Sequence, residues 1–119
     1  MSCVFCSIPE AKWLLHNEHF YVVWDTHPLA EGHALVIARQ HVEDFFDIPP
    51  ELLPSLHEMV ASARDLISAR CHPVGYNLLM NCGTAAGQTI FHYHMHIIPR
   101  YGRNRRSPVR GFFRRNHIG

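Results

Sequence analysis

Three histidines, His92, His94 and His96, alternate with Tyr93, Met95 and Ile97. Alternation is the period of a half-buried β-strand, so the three imidazoles are expected on one face at intervals of about 6.6 Å. The opposite face is apolar and suited to a core. Three uses of such an imidazole face compete. The histidines can be ordinary core or surface residues, each satisfied by hydrogen bonds. They can bind metal, because His-x-His on a strand sets two nitrogens on one zinc ion. They can also carry out phosphoryl or nucleotidyl transfer. In that chemistry a neutral imidazole attacks phosphorus through one nitrogen while an acceptor holds the other, protonated one. A neighbouring imidazole then donates to the leaving oxygen.

Other residues bear on that choice. Cys3-Val4-Phe5-Cys6 is a C-x-x-C pair; alone it fits a metal knuckle or plain thiols, and no thioredoxin-type βαβ context follows it. Asp25 closes an expected strand, where a turn-forming role is the simplest one. Residues 82–88 form a small, glycine-containing connection whose backbone N–H groups can approach a phosphate closely.

The elements that must position these residues are legible in outline. A short strand near 13–15 is expected, then a turn at 16–19 and a second strand at 20–24, rich in aromatic and β-branched residues. Residues 33–38 are nearly all apolar and read as a central strand. A short helical turn is expected within 41–47. Leu52, Leu53, Leu56, Met59, Val60, Ala63, Leu66 and Ile67 recur at steps of three and four, which predicts a helix over 51–70. Pro50 and Pro54 are tolerable at its first turn, and His57 is expected on its surface. A strand over 76–81 should pair antiparallel with the histidine strand.

A chain of 119 residues, 47% hydrophobic, fits one domain that needs no disulfides. No apolar run approaches the ~18 residues of a membrane span. The first residues show no basic stretch followed by an apolar one, so no secretory signal is expected. Cytoplasmic residence follows as the default, with the four cysteines as thiols or ligands. Charge is uneven. Through Asp65 three basic residues face all ten acids; beyond it come eight arginines and no acid. Over residues 66–99 the low charge is better explained by burial of strands, whereas the arginine-rich tail should attract anions.

Gln88 followed by His92-x-His94-x-His96 and two apolar residues resembles the signature of the histidine triad (HIT) superfamily. The run from Trp24 to Ile37 is similar to that family's nucleotide-pocket segment, and Gly75-Tyr76-Asn77 through Asn81-Cys82-Gly83 to the strand before the triad. The resemblance implies an α+β, HIT-like fold: a five-stranded, mainly antiparallel sheet with one long and one short helix. It implies a single HIT domain over 1–119, with a basic C-terminal segment from about residue 100, and a homodimer. His94 would be the nucleophile, with His96 beside it as a catalytic and nucleotide-binding residue and His33 in support. Asp25 would accept the ribose hydroxyls, while Asn81, Gln88 and Thr89 would meet the phosphates.

Zinc-binding members imply a further set, Cys3, Cys6, His41 and His92, suited to a structural Zn²⁺ with no open position. Here Ala38-Arg39-Gln40-His41 lacks the Pro-Lys that usually precedes this histidine in the family. The implied reaction is cleavage of a nucleoside phosphoanhydride, of the dinucleoside polyphosphate type, at the α-phosphorus through a nucleotidyl-histidine intermediate. The alternatives are a nucleoside phosphoramidase and a nucleotide-binding regulatory module with little turnover. The arginine-rich tail fits a phosphate-contacting segment better than a nucleic-acid arm.

Overall fold

The computed structural model describes residues 3–102. Five strands form one antiparallel sheet: β1 (Leu15–His16), β2 (Phe20–Trp24), β3 (Ala34–Ala38), β4 (Gly75–Leu79) and β5 (His94–Arg100), in the order β1-β2-β3-β5-β4. One long helix, α1 (Leu53–Cys71), follows a 3-10 turn at Pro50–Leu52. The short helix expected in 41–47 is a single 3-10 turn, Phe45–Asp47, capped by the Asp44 carboxylate. The strand expected near 13–15 shrinks to two residues, and β4 stops at Leu79 rather than running to residue 81.

The two faces of the sheet are covered differently. Leu56, Met59, Ala63 and Ile67 of α1 bury against Phe20, Val22, Ala34, Val36, Met95 and Ile97. That is the stripe expected from steps of three and four; Leu53 and His57 remain exposed. The other face presents Tyr21, Val23, Leu35 and Ile37, covered by Phe5 with Ile8 and Trp13 packed beside it. Among the described residues no α-helix or strand lies there. Its cover is the N-terminal segment, with 3-10 turns at Val4–Cys6 and Glu10–Lys12.

Gly32 locks the connection from β2 to β3. Its φ of +84° is open to glycine at little cost, and a Cβ there would sit 3.1 Å from Cys71 Sγ and 3.2 Å from Ile67 Cγ2. The loop carrying Asp25 through His33 is thereby pressed onto the end of α1. Residues from 103 onward, which include six of the seven tail arginines, lie outside the described residues.

Candidate active site and metal centre

In the β3–β5 register Ile37 stands opposite His94 and Leu35 opposite His96. Both imidazoles therefore project from the sheet face away from α1, and both are buried. The expectation that all three histidines share one strand needs a correction. β5 begins at His94, and the chain around His92 leaves the ladder because Tyr93 N–H donates to Val42 O. His92 is thereby turned toward the N-terminal cysteines.

Backbone groups fix the proton on each ring. A carbonyl can only accept, so the 2.8 Å contact between His94 Nδ1 and His92 O places a proton on Nδ1. The lone pair of neutral His94 is then on Nε2, which is buried with no hydrogen-bond partner among the described residues. His92 is set the opposite way: Nε2–H donates to Ala38 O at 2.6 Å, leaving Nδ1 as a lone-pair donor. His33 accepts from Leu29 N–H at Nδ1 (3.0 Å), so its proton sits on Nε2, 3.0 Å from His96 Nδ1. His96 Nδ1 accepts, and its own proton is on Nε2. The result is a nucleophile with a free lone pair beside an imidazole that presents an N–H.

Burial favours the neutral rings throughout. It pushes His94 and His33 below the ordinary histidine value, against the opposing pull of Asp25 on both and of the His92 carbonyl on His94. His96 falls to about 2, through burial first and then repulsion from His94 and His33.

Asp25, expected to hold ribose, follows β2 directly. Its Oδ1 accepts from His27 N–H at 2.8 Å, while Oδ2 lies 3.4 Å from His33 Nε2 and 3.7 Å from His96 Nδ1. Beside it opens a cleft of about 740 Å³, walled by Phe5, Ile8, Val23 and Leu35 with Lys12 and Thr26 in its lining. Phe5 also meets the His94 ring edge-on at 4.8 Å, so the cleft and the histidines share a wall. Asn81 is buried and Thr89 exposed.

The loop over 82–88 is held together by its own polar groups. Gly83 N–H donates to Gln88 Oε1 at 2.7 Å, and the N–H groups of Ala86, Gly87 and Gln88 bond to carbonyls within the loop. Gln88 Nε2 donates to Glu43 O and Ile90 O. These four amides are engaged within the loop, and the Gln88 side chain braces it.

Cys3, Cys6, His41 and His92, far apart in sequence, converge. His92 Nδ1 lies 3.4 Å from Cys3 Sγ, 3.5 Å from Cys6 Sγ and 3.1 Å from His41 Nδ1; Cys6 Sγ to His41 Nδ1 is 3.2 Å. Tetrahedral zinc, with bonds of about 2.3 Å to sulfur and 2.0–2.1 Å to nitrogen, has ligand–ligand edges of roughly 3.3–3.8 Å. The donor set fits zinc, and the missing Pro-Lys before His41 does not keep that residue away. A second cluster, Asp25, His33 and His96, has metal-like spacing but the wrong protons. His33 Nε2 must carry hydrogen while Nδ1 accepts from Leu29, so this group is a hydrogen-bond relay.

Sequence reasoning missed the backbone groups that set these tautomers, the Ala38 and His92 carbonyls and the Leu29 N–H. No side-chain pattern announces them. The partner of His33 was also hidden, because it depends on strand register.

The HIT domain family matches residues 8–103. "Protein hit" of Bacillus subtilis is 39% identical over 107 residues, covering 86% of this chain and 73% of the relative. The adenylylsulfatase HINT3 of Arabidopsis thaliana is 36% identical over 106 residues, covering 86% of this chain and 54% of the relative. A zinc-bound histidine triad family protein from Mycobacterium smegmatis superposes with a TM-score of 0.79 at 33% identity, covering 90% of this chain and 81% of the other. No helix among the described residues is long and apolar enough to cross a membrane.

Proposed function

This chain belongs to the HIT domain family, and from that premise we propose that it cleaves nucleoside phosphoanhydrides of the dinucleoside polyphosphate type at the α-phosphorus. The observation that carries the reading is the lone pair of His94. It is directed to Nε2 by the bond from Nδ1–H to the His92 carbonyl and, among the described residues, left unpartnered in a buried position.

The nucleoside occupies the cleft, its base against Phe5, Ile8 and Val23 and its ribose hydroxyls on Asp25. His94 Nε2 attacks phosphorus. An N–P bond forms as the bond to the bridging oxygen breaks, and the leaving phosphate takes the electron pair. The positive charge that develops on the imidazole is shared with the His92 carbonyl through Nδ1–H. His96 Nε2–H donates to the oxygens that gain charge. In the second half, water attacks phosphorus, the N–P bond breaks, and the nucleoside monophosphate leaves with His94 neutral again. Splitting one displacement into two is the gain from a covalent intermediate.

An adenylylsulfatase among the relatives supports tolerance in the leaving group, as does a mechanism centred on the nucleotidyl side. A phosphoramidate is then the rival substrate. A mixed panel of diadenosine tetraphosphate, adenylyl sulfate and adenosine phosphoramidate, followed by product analysis, ranks them. Alkali-quenched mixtures should contain a base-stable nucleotidyl adduct on His94, and His94→Ala should abolish both adduct and turnover. Turnover that survives in His94→Ala removes the mechanism. AMP binding without product from any of these substrates would favour a regulatory nucleotide-binding module instead.

Zinc held by Cys3, Cys6, His41 and His92 belongs to the same proposal. With four protein ligands it supplies rigidity, not an open coordination site. So does a homodimer, supported by the edge strand β4 with Leu78 and the preceding Val74 exposed. Light scattering tests it. Cytoplasmic residence completes the reading, and fluorescent tagging would check it.

A further inference from the structure

Resting on that reading, we infer that the metal centre and the nucleoside cleft are one thermodynamically coupled unit, with Phe5 as the residue that couples them. Val4, Phe5, Ser7, Ile8 and Pro9 all line the cleft. They belong to a segment with little backbone attachment. Among the described residues its first main-chain hydrogen bond to the sheet is Leu14 N–H to Val22 O, whereas Cys6 N–H to Cys3 O and Ser7 N–H to Val4 O are internal. What docks the start of the segment is the Phe5 side chain, the Tyr21 hydroxyl donating to Phe5 O, and the two thiols.

Cys3 and Cys6 bracket Phe5 around a single 3-10 turn. Fixing both sulfurs therefore fixes the ring between them. That ring stands edge-on to His92 at 5.9 Å and to His94 at 4.8 Å while forming cleft wall. Without a metal, the thiols and imidazoles lose their common partner, and the turn regains conformational entropy that a bound nucleoside must remove again. A nucleotide should bind more weakly to the metal-free protein. By reciprocity, it should raise metal affinity by the same factor. A coupling of about tenfold lies inside the usual range of roughly 5–150-fold.

The test is calorimetric titration of the full chain with AMP, zinc-loaded and after chelation, with zinc affinity measured by chelator competition with and without saturating AMP. We expect AMP to bind about tenfold more weakly to the stripped protein, and zinc to bind correspondingly more tightly when AMP is present. Phe5→Ala should retain zinc and the helical circular dichroism signal yet lose the mutual dependence. Cobalt-loaded protein provides a reading with the metal always present: AMP, at concentrations that saturate each protein, should shift the tetrahedral cobalt–thiolate bands in the wild type and not in Phe5→Ala. Equal AMP affinity in loaded and stripped protein, or cobalt bands indifferent to AMP, overturns the coupling while leaving nucleotidyl transfer standing. Absence of AMP binding in both forms overturns the two together.

Discussion

Removing the His33 ring tests whether His96 is kept as an N–H donor by a neighbour that never touches substrate. His33→Ala deletes the 3.0 Å bond from Nε2–H to His96 Nδ1 between two rings that are 1% and 0% exposed. A neutral hydrogen bond of this kind contributes about 1 kcal/mol net, roughly fivefold in a rate that depends on it. With that bond gone, Asp25 Oδ2, 3.7 Å from His96 Nδ1, can draw the proton toward Nδ1, and complete loss of a positioned proton donor would cost a hundredfold or more. The expected fall in kcat/KM therefore lies between about fivefold and a hundredfold. It should fall short of the complete loss expected for His94→Ala.

His33→Gln should recover part of the loss, since a glutamine amide can present N–H near the former Nε2. Nitrogen-15 NMR of the histidine rings gives a readout that simple damage would not mimic: His96 should change from Nε2–H alone to a mixture in His33→Ala. Stability will fall too, because Leu29 N–H loses its acceptor at a cost of about 1–3 kcal/mol. Thermal melting separates that effect from the kinetic one. If His33→Ala turns over at the wild-type rate with the His96 tautomer unchanged, the relay does not exist.

Gly32→Ala combines a left-handed backbone with a Cβ 3.1 Å from Cys71 Sγ; a loss of about 2–4 kcal/mol is expected, and calorimetric melting within a few degrees of wild type would contradict it. His33, His94 and His96 are held neutral by burial, whereas the unfolded chain titrates its histidines near 6.5. Below about pH 6.5 the unfolded state binds more protons, so stability should be complete above pH 7.5 and fall by about 1.4 kcal/mol per pH unit for each ring that stays neutral. Denaturant titrations at three pH values check this, and a flat profile from 7.5 to 5.5 would refute it. Gln88→Ala removes the acceptor of Gly83 N–H and the donor to Glu43 O; we expect faster hydrogen exchange across 82–88 with AMP affinity nearly unchanged, so a large affinity loss would mark Gln88 as a phosphate ligand as well as a brace.

What could be read from the sequence divides along physical lines. Period-two and period-3.6 patterns report which face is buried, and they gave β2, β3 and α1 nearly to the residue. They cannot report where a ladder ends. His92 continues the alternation of His94 and His96, yet the chain leaves the sheet there because Val42 O captures Tyr93 N–H. The Cys3, Cys6, His41 and His92 set came from family resemblance, since four residues on three separate segments carry no local signature. The 82–88 loop is hard to read for the opposite reason. Small residues permit a phosphate cradle, but whether N–H groups stay available depends on where the Gln88 amide points, and composition is silent about that.

The strand order also bears on how the chain reaches its native state. β5 is the last strand among the described residues but occupies an interior lane between β3 and β4. Until it arrives, β3 offers a full-length edge made entirely of Ala34, Leu35, Val36, Ile37 and Ala38, a sticky template for pairing with another molecule. A nascent chain halted before residue 94 should therefore be prone to aggregate and a ready client for chaperones, with the hazard removed in one step when the missing strand slots home.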